Sequence, residues 1–436
     1  MLDFRAKKIV VMGLGLNQGG LGVVQWLIKK GYPAIVTDLK SRSQLKETLR
    51  QLPASKLVTW RFGGHKLADF RIADIIIQNP GARNDSPYLK AAKRAVITNE
   101  AAIFFERVRA RTIAVTGTRG KSTTAWLIYQ LLKLNGRSVY LTGNIAQQPM
   151  LGVLERLKPT DWVVVELSSW QLEKFRTFKL RPQIAVLTNI YKDHLNRYRG
   201  FNDYIKAKQA VTVFQTAGDY LITSRSNQLC WQIAKQSQAK VIYFDKLKLN
   251  SRNFKLAGQH NLANLQAALT AAQLTGLPKS KLLKSLNRLR PLEFRQQDLG
   301  LIKGRRCIND TAATSPEAVL AALETFKNYS SLVLIAGGVD KKLDFKELAG
   351  AIPRRVSQLI LFPGSASQKL KTELQKAQFS RWLMAGSMKE AVKLAFQSSQ
   401  RGSLILLSPG AASFNLFKNE FDRGRQFNDC LKHERL

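Results

Sequence analysis

Residues 116–123 read TGTRGKST, directly after the apolar run 113–116 and directly before a helical pattern at 123–134. Glycines at 117 and 120 let backbone N–H groups turn toward a phosphate, and the following helix offers its positive end. Lys121 can reach terminal phosphates, and the Ser122 hydroxyl can bind Mg²⁺. Val115 stands where a full GxxxxGK[ST] pattern would have its first glycine. A plain strand-to-helix turn is the simpler reading, but Gly-Lys-Ser in this setting points to a nucleoside triphosphate loop of Gly117, Thr118, Arg119, Gly120, Lys121, Ser122 and Thr123.

Working outward, short apolar runs at 8–12, 34–37, 74–77, 162–165, 184–188, 332–336 and 404–407 read as strands, and 21–30 and 316–327 as helices. This alternation predicts an α/β protein of mainly parallel sheets covered by helices, with ligands at the carboxyl ends of strands. Its 436 residues suit about three domains at roughly 150 residues each. The blocks are a Rossmann-like N-terminal domain, 1–106; a central P-loop-type ATPase domain, 107–290; and a Rossmann-like C-terminal domain, 291–436. The last boundary follows Leu289-Arg290-Pro291, where proline discourages helix continuation. In the first block Gly13, Gly15 and Gly19 follow a strand and Asp38 ends the next one, which taken alone suggests a dinucleotide fold with Asp38 on a ribose.

Lys and Arg number 69 against 30 Asp and Glu, a formal charge of +39. The cations run through the whole chain without a basic tail, so they read as a basic solvated surface, and no motif requires nucleic acid. A polyanion-binding NTPase stays open as an alternative. Three widely spaced cysteines encode neither a disulfide framework nor a zinc site and fit a reducing compartment. No run approaches the ~20 apolar residues of a membrane span, and the N-terminus has no signal-peptide cleavage pattern, so a cytoplasmic protein without membrane insertion is expected.

The shortened phosphate loop resembles that of the Mur ligase and folylpolyglutamate synthase superfamily. Further motifs follow in order: ELSSWQLE at 166–173, TNIYKDHLNRY from Thr188, AGQHNLAN from Ala257, NDTAATSPEA from Asn309, AGGVDKKLDF from Ala336 and LSPGAASFNLFKNEFDRG from Leu407. The resemblance, strongest to the glutamate-adding Mur ligases, implies ATP-dependent amide formation in cytoplasmic peptidoglycan precursor synthesis by a monomer. UDP-N-acetylmuramoyl-L-alanine would take D-glutamate through an acyl phosphate. By the same resemblance, Ser122, Glu166, His194 and a carbamylated Lys208 hold Mg²⁺, with Lys121 on the phosphates. Asn261 and Asn264 lie on the adenine side, Arg295 and Asp310 on the phosphate and ribose side. Leu16, Asn17, Asp38, Asn79, Gly81 and Asn144 are implied contacts of the uridine nucleotide substrate, and Thr314, Lys341 and Ser413 of glutamate. On the residues alone, Lys208 reads as a solvated helix lysine like its neighbour Lys206.

The chain departs from the family pattern in its third block. Residues 310–314 read DTAAT, without the lysine usual in the matching DSKAT segment, and Phe294 replaces a histidine common before the matching arginine. An L-glutamate-adding Mur ligase is therefore an alternative, as is a folylpolyglutamate synthase-like ligase. Against the latter, about 110 residues with their own glycine turn precede the phosphate loop.

Overall fold

The computed structural model describes all residues except 16–17, 80, 146–147, 194–196, 248–257, 342, 414–415 and 435–436. His194, Leu16 and Asn17 lie outside the described residues. The chain forms two compact units that part between Leu289 and Arg290.

The first unit contains two parallel sheets. β1 (Ile9–Met12), β2 (Ala34–Asp38), β3 (Val58–Phe62), β4 (Ile75–Gln78) and β5 (Val96–Thr98) lie in the order β3-β2-β1-β4-β5. β6 (Arg111–Thr116), β7 (Val139–Gly143), β8 (Trp162–Glu166), β9 (Ile184–Leu187), β10 (Tyr220–Thr223) and β11 (Lys240–Tyr243) lie in the order β11-β10-β9-β6-β8-β7. The central strands β1, β4, β8 and β9 are buried at every residue. That is why they read as continuous Ile, Val and Leu rather than alternating with polar residues: both faces of a parallel sheet are covered. The helix Lys121–Leu134 packs its Leu127, Ile128 and Leu131 with Leu265, Ala268 and Ala272 of the helix Gln259–Gln273 over the second sheet.

The second unit carries β12 (Gln297–Ile302), β13 (Arg305–Asn309), β14 (Leu332–Gly337), β15 (Gln358–Phe362), β16 (Trp382–Met384) and β17 (Leu404–Leu407), ordered β12-β13-β17-β14-β15-β16. Among the described strand pairs of this sheet, β12–β13, at its edge, is antiparallel and the others parallel, and the β12–β13 register shifts between Asp298 and Leu301. In each sheet chain-distant strands become neighbours, and the loops leaving their carboxyl ends converge. These convergences place the candidate site residues.

Candidate active site

The phosphate loop leaves β6 between the ends of β8 and β9. Gly117 and Gly120 adopt φ of +143° and +78°. A Cβ on Gly117 would lie 2.0 Å from Thr188 Oγ1, and one on Gly120 would lie 2.2 Å from Asn264 Oδ1. Both positions therefore need glycine, for conformation and for space. Residues after β9 hold the loop: Thr118 N donates to Asn189 O (2.8 Å), Arg119 N to Asn189 Oδ1 (2.9 Å), and Thr188 Oγ1 to Arg119 O (2.7 Å). The Thr118 and Tyr204 hydroxyls meet at 3.0 Å. Lys121, the first residue of the helix, folds back so that Nζ donates to Thr118 O at 2.8 Å. The loop is thus a rigid backbone cradle whose helix begins with a lysine and a buried serine, Ser122.

Glu166 ends β8 beside it, paired in register with Val115 of β6 and Gly143 of β7. It is 1% exposed, and its Oε2 is buried without a hydrogen-bond partner. A buried carboxylate oxygen in that state calls for a cation. Gly143, at φ +102°, lets the backbone close on Glu166: a Cβ there would sit 2.1 Å from Glu166 O, to which Asn144 N donates at 3.0 Å.

Lys208, on the helix Phe201–Gln209, is 2% exposed and donates from Nζ to Thr116 Oγ1 at 3.3 Å. Burial, then repulsion by Lys121, lowers its pKa well below the usual lysine range, against the pull of Glu166 and Asp193. The structure therefore gathers Lys121, Ser122, Glu166 and Lys208 around one loop. Among the described residues no group of three or more His, Cys, Asp or Glu gathers to hold a metal. The donors available are instead hard oxygens from Glu166 and Ser122, with Lys208 adjoining. Asn261 and Asn264 are buried on the helix Gln259–Gln273. Asn264 Nδ2 donates to Asn261 Oδ1 (3.4 Å), and its own Oδ1 accepts from Thr124 Oγ1 (3.3 Å), so Asn264 buttresses the phosphate-loop helix.

At the carboxyl ends of the first sheet, Asp38 accepts from Gly15 N and Lys40 N, both at 2.8 Å. Asn79 N donates to Met12 O (3.0 Å), and Asn79 Oδ1 accepts from Gly81 N (3.1 Å). Asp38, Asn79 and Gly81 thus share one strand-end surface, while Asn144 is an exposed residue after β7.

In the second unit, Lys341 Nζ donates to Thr314 Oγ1 at 3.2 Å. Ser413 is 2% exposed, with its Oγ buried and unbonded. Asp310 accepts from Ser408 Oγ (2.9 Å) and Gln296 N (3.1 Å), and burial pushes its carboxyl up to about 7. Arg295 is exposed nearby, its charge opposing that rise. Sequence reasoning missed Arg423. It is fully buried, donating to Thr311 Oγ1 (2.9 Å), Thr311 O (2.9 Å) and Ala411 O (3.3 Å), so a cation does stand behind the DTAAT segment. It also missed Asn189, which lies in the TNIYKDHLNRY motif, and Tyr204, which lies outside the motifs; both reach the loop only through the fold.

Parallel α/β sheets around a Gly-Lys-Ser phosphate loop, with a buried carboxylate and a buried lysine beside it, define a nucleotide-dependent enzyme. Three domain descriptions match in chain order: the Mur ligase MurD-like N-terminal domain at 7–99, the Mur ligase middle domain at 115–255, and the Mur ligase glutamate ligase domain at 293–410. The UDP-N-acetylmuramoylalanine–D-glutamate ligase of Trichlorobacter lovleyi is 32% identical, covering 99% of this chain and 100% of that relative. The enzyme of the same name from Borreliella burgdorferi strain ZS7 is 35% identical, covering 99% of each. The chain belongs to the Mur ligase family, whose members are ATP-dependent ligases. Among solved structures, the UDP-N-acetylmuramate–alanine ligase MurC of Thermotoga maritima aligns with a TM-score of 0.63 at 19% identity, covering 98% of this chain and 99% of that one. A Mycobacterium tuberculosis folylpolyglutamate synthase complexed with ADP aligns at 0.57 and 13% identity, over 72% of this chain and 93% of that one. No helix among the described residues is long and apolar enough to cross a membrane.

Proposed function

We propose that the protein joins D-glutamate to UDP-N-acetylmuramoyl-L-alanine with consumption of ATP, in cytoplasmic peptidoglycan precursor synthesis, as a monomer with domains at 1–106, 107–290 and 291–436. The observation that carries this reading is full-length similarity to ligases of that name. The convergence of Lys121, Glu166 and Lys208 on the phosphate loop supplies matching chemistry. Folylpolyglutamate synthase is the weaker reading, because the first sheet with its own glycine turn matches the MurD-like N-terminal domain.

A carboxylate is a poor acyl donor and must first be activated. Lys121 and the first turn of its helix bind the triphosphate of ATP, on which the substrate's carboxylate attacks the γ-phosphorus and releases ADP. The glutamate amine then attacks the acyl carbon of the resulting acyl phosphate and expels inorganic phosphate. Glu166, with its unbonded Oε2, and Ser122 fit Mg²⁺, and we assign His194 to the same set. When bound, that ion screens the charge between carboxylate and triphosphate. Burial lowers the Lys208 pKa and so favours the neutral amine, the form that adds CO₂ to give an anionic carbamate and a proton. Carbamylated Lys208 then faces Glu166 and Lys121 with oxygen instead of a cation.

Leu16, Asn17, Asp38, Asn79, Gly81 and Asn144 are assigned to the uridine nucleotide substrate. Thr314, Lys341 and Ser413 are assigned to the two glutamate carboxylates. Asn261, Asn264, Arg295 and Asp310 are assigned to ATP. The test is incubation with ATP, Mg²⁺ and UDP-N-acetylmuramoyl-L-alanine plus D- or L-glutamate separately, reading product mass and phosphate release. Product with D-glutamate alone supports the reading; product with L-glutamate alone, or none with either, overturns it.

A further inference from the structure

The segment 166–173 has two ends with different duties. A capping box between Ser168 and Gln171 fixes the short helix Ser169–Leu172, so Glu166 at the strand end and Glu173 at the helix C-cap are held at a set spacing. Glu166 turns to the phosphate loop. Glu173 turns the other way, toward the turn that leaves β4 of the first sheet: Asn84 Nδ2 donates to Glu173 Oε2 at 2.7 Å. The same turn is held from β4 by Gln78, whose Nε2 donates to Ala82 O (3.0 Å) and Asn84 Oδ1 (2.9 Å). Arg197 closes the set. Its Nη2 donates to Ala82 O at 3.1 Å, its Nε lies 4.0 Å from Glu173 Oε1, and its guanidinium stacks 4.8 Å from the Trp170 ring centroid. The Arg197 and Glu173 side chains are only 12% and 14% exposed, so their pairing is shielded more than a surface pair, while the Asn84–Glu173 bond lies at the exposed rim of the set.

A turn carrying Asn79 and Gly81 is thus shaped by residues 89 and 115 positions away in the chain. Local bonds, Ala82 N to Asn79 O (2.9 Å) and Gly81 N to Asn79 Oδ1 (3.1 Å), start the turn, and the distant residues fix its far end at Ala82 and Asn84. We propose that Asn84, Glu173 and Arg197 are positioning residues that hold Gly81–Asn84, after β4, in the form that grips the uridine nucleotide substrate. Glu173 shares its segment with Glu166, and Arg197 shares its motif with His194, so both motifs that serve the ATP side also brace the sugar-nucleotide side. This inference rests on the ligase reading and on Asn79 and Gly81 contacting that substrate.

The test measures KM for UDP-N-acetylmuramoyl-L-alanine and for ATP, and calorimetric binding of the former, in Glu173→Gln, Asn84→Ala, Arg197→Met and the Asn84→Ala/Glu173→Gln pair. Removing one partner of a charge-assisted hydrogen bond predicts a rise of about ten- to a hundredfold in KM and Kd for the nucleotide-sugar. ATP KM should stay within about twofold, and the pair should lose no more than its worse single variant, since Glu173→Gln takes the charge from, and Asn84→Ala the donor of, the same bond. Glu173→Gln is isosteric and keeps the segment foldable should Asn84→Ala not accumulate. Equal rises in both KM values would mark a general structural role and overturn the proposal, as would unchanged nucleotide-sugar affinity. If the unsubstituted protein itself fails to bind the nucleotide-sugar, the ligase reading falls first. If it binds and the variants match it, only the positioning role falls.

Discussion

Glu100 opens the helix Glu100–Arg107 and is 8% exposed, with Oε1 accepting from Leu151 N at 3.4 Å. Its carboxyl faces a glycine-rich helix: a Cβ on Gly22 would lie 3.3 Å from Oε1, and one on Gly19 would lie 3.8 Å from Oε2. Burial pushes its pKa from 4.5 to about 8, against the Leu151 and Met150 amides. A raised folded-state pKa means the group's contribution to stability is fully present below pH 4.5 and is lost as pH rises through 8. Over that window each pH unit costs about 1.4 kcal/mol, so the folded state gives up about 3 kcal/mol by pH 7 and about 4 kcal/mol by pH 8, where the folded group is itself half ionised. Glu100→Gln keeps an acceptor for Leu151 and cannot ionise. Its new amide N–H₂ costs about 1 kcal/mol if unpaired. The variant should therefore be slightly less stable than wild type at pH 5 and about 3–4 kcal/mol more stable at pH 8. Urea midpoints of both proteins at pH 5, 6, 7 and 8 test this, and taking their difference cancels the titration common to a chain of net charge +39. A difference constant across pH would refute the reasoning, because it would mean that Glu100 ionises alike in the folded and unfolded chains.

Gly120→Ala adds a Cβ 2.2 Å from Asn264 Oδ1 at φ +78°, a strain of about 1–2 kcal/mol before any displacement of Asn264; ATP KM should rise about tenfold with the circular dichroism spectrum unchanged. Glu166→Gln keeps the side chain's shape but removes its charge, so the Mg²⁺ concentration giving half-maximal phosphate release should rise about tenfold or more, and an unmoved titration would remove Glu166 from the metal set. Turnover should fall when dissolved CO₂ is stripped and return with bicarbonate, whereas Lys208→Ala should be inactive under both conditions; activity indifferent to CO₂ would exclude the carbamate.

Much of the second sheet was legible because its signals are local. An apolar run that is buried on both faces and ends in Gly-x-x-Gly-Lys-Ser can hardly be anything but a strand, a phosphate turn and a helix start, and β6 and the helix Lys121–Leu134 lie there. Lys208 was not legible from its own neighbourhood. Lys206 and Lys208 share one helix, yet the first is exposed and the second buried, because only Lys208 lies one turn beyond Tyr204 on the face turned to the phosphate loop. Arg423 was hidden the same way, as one cation in a polar helix, Glu420–His433, whose buried face is set by Thr311 and Ala411.

By itself the sequence determined the alternation of strands and helices, the glycines of the turns and the phosphate loop, since hydrophobic period, φ preference and helix-start chemistry act over a few neighbouring residues. The tertiary structure alone decided which charges leave water: it desolvated Glu100, Lys208 and Arg423 and joined Asn84 to Glu173. Burial and pairing depend on residues tens to hundreds of positions apart, whose proximity exists only once the sheets have assembled.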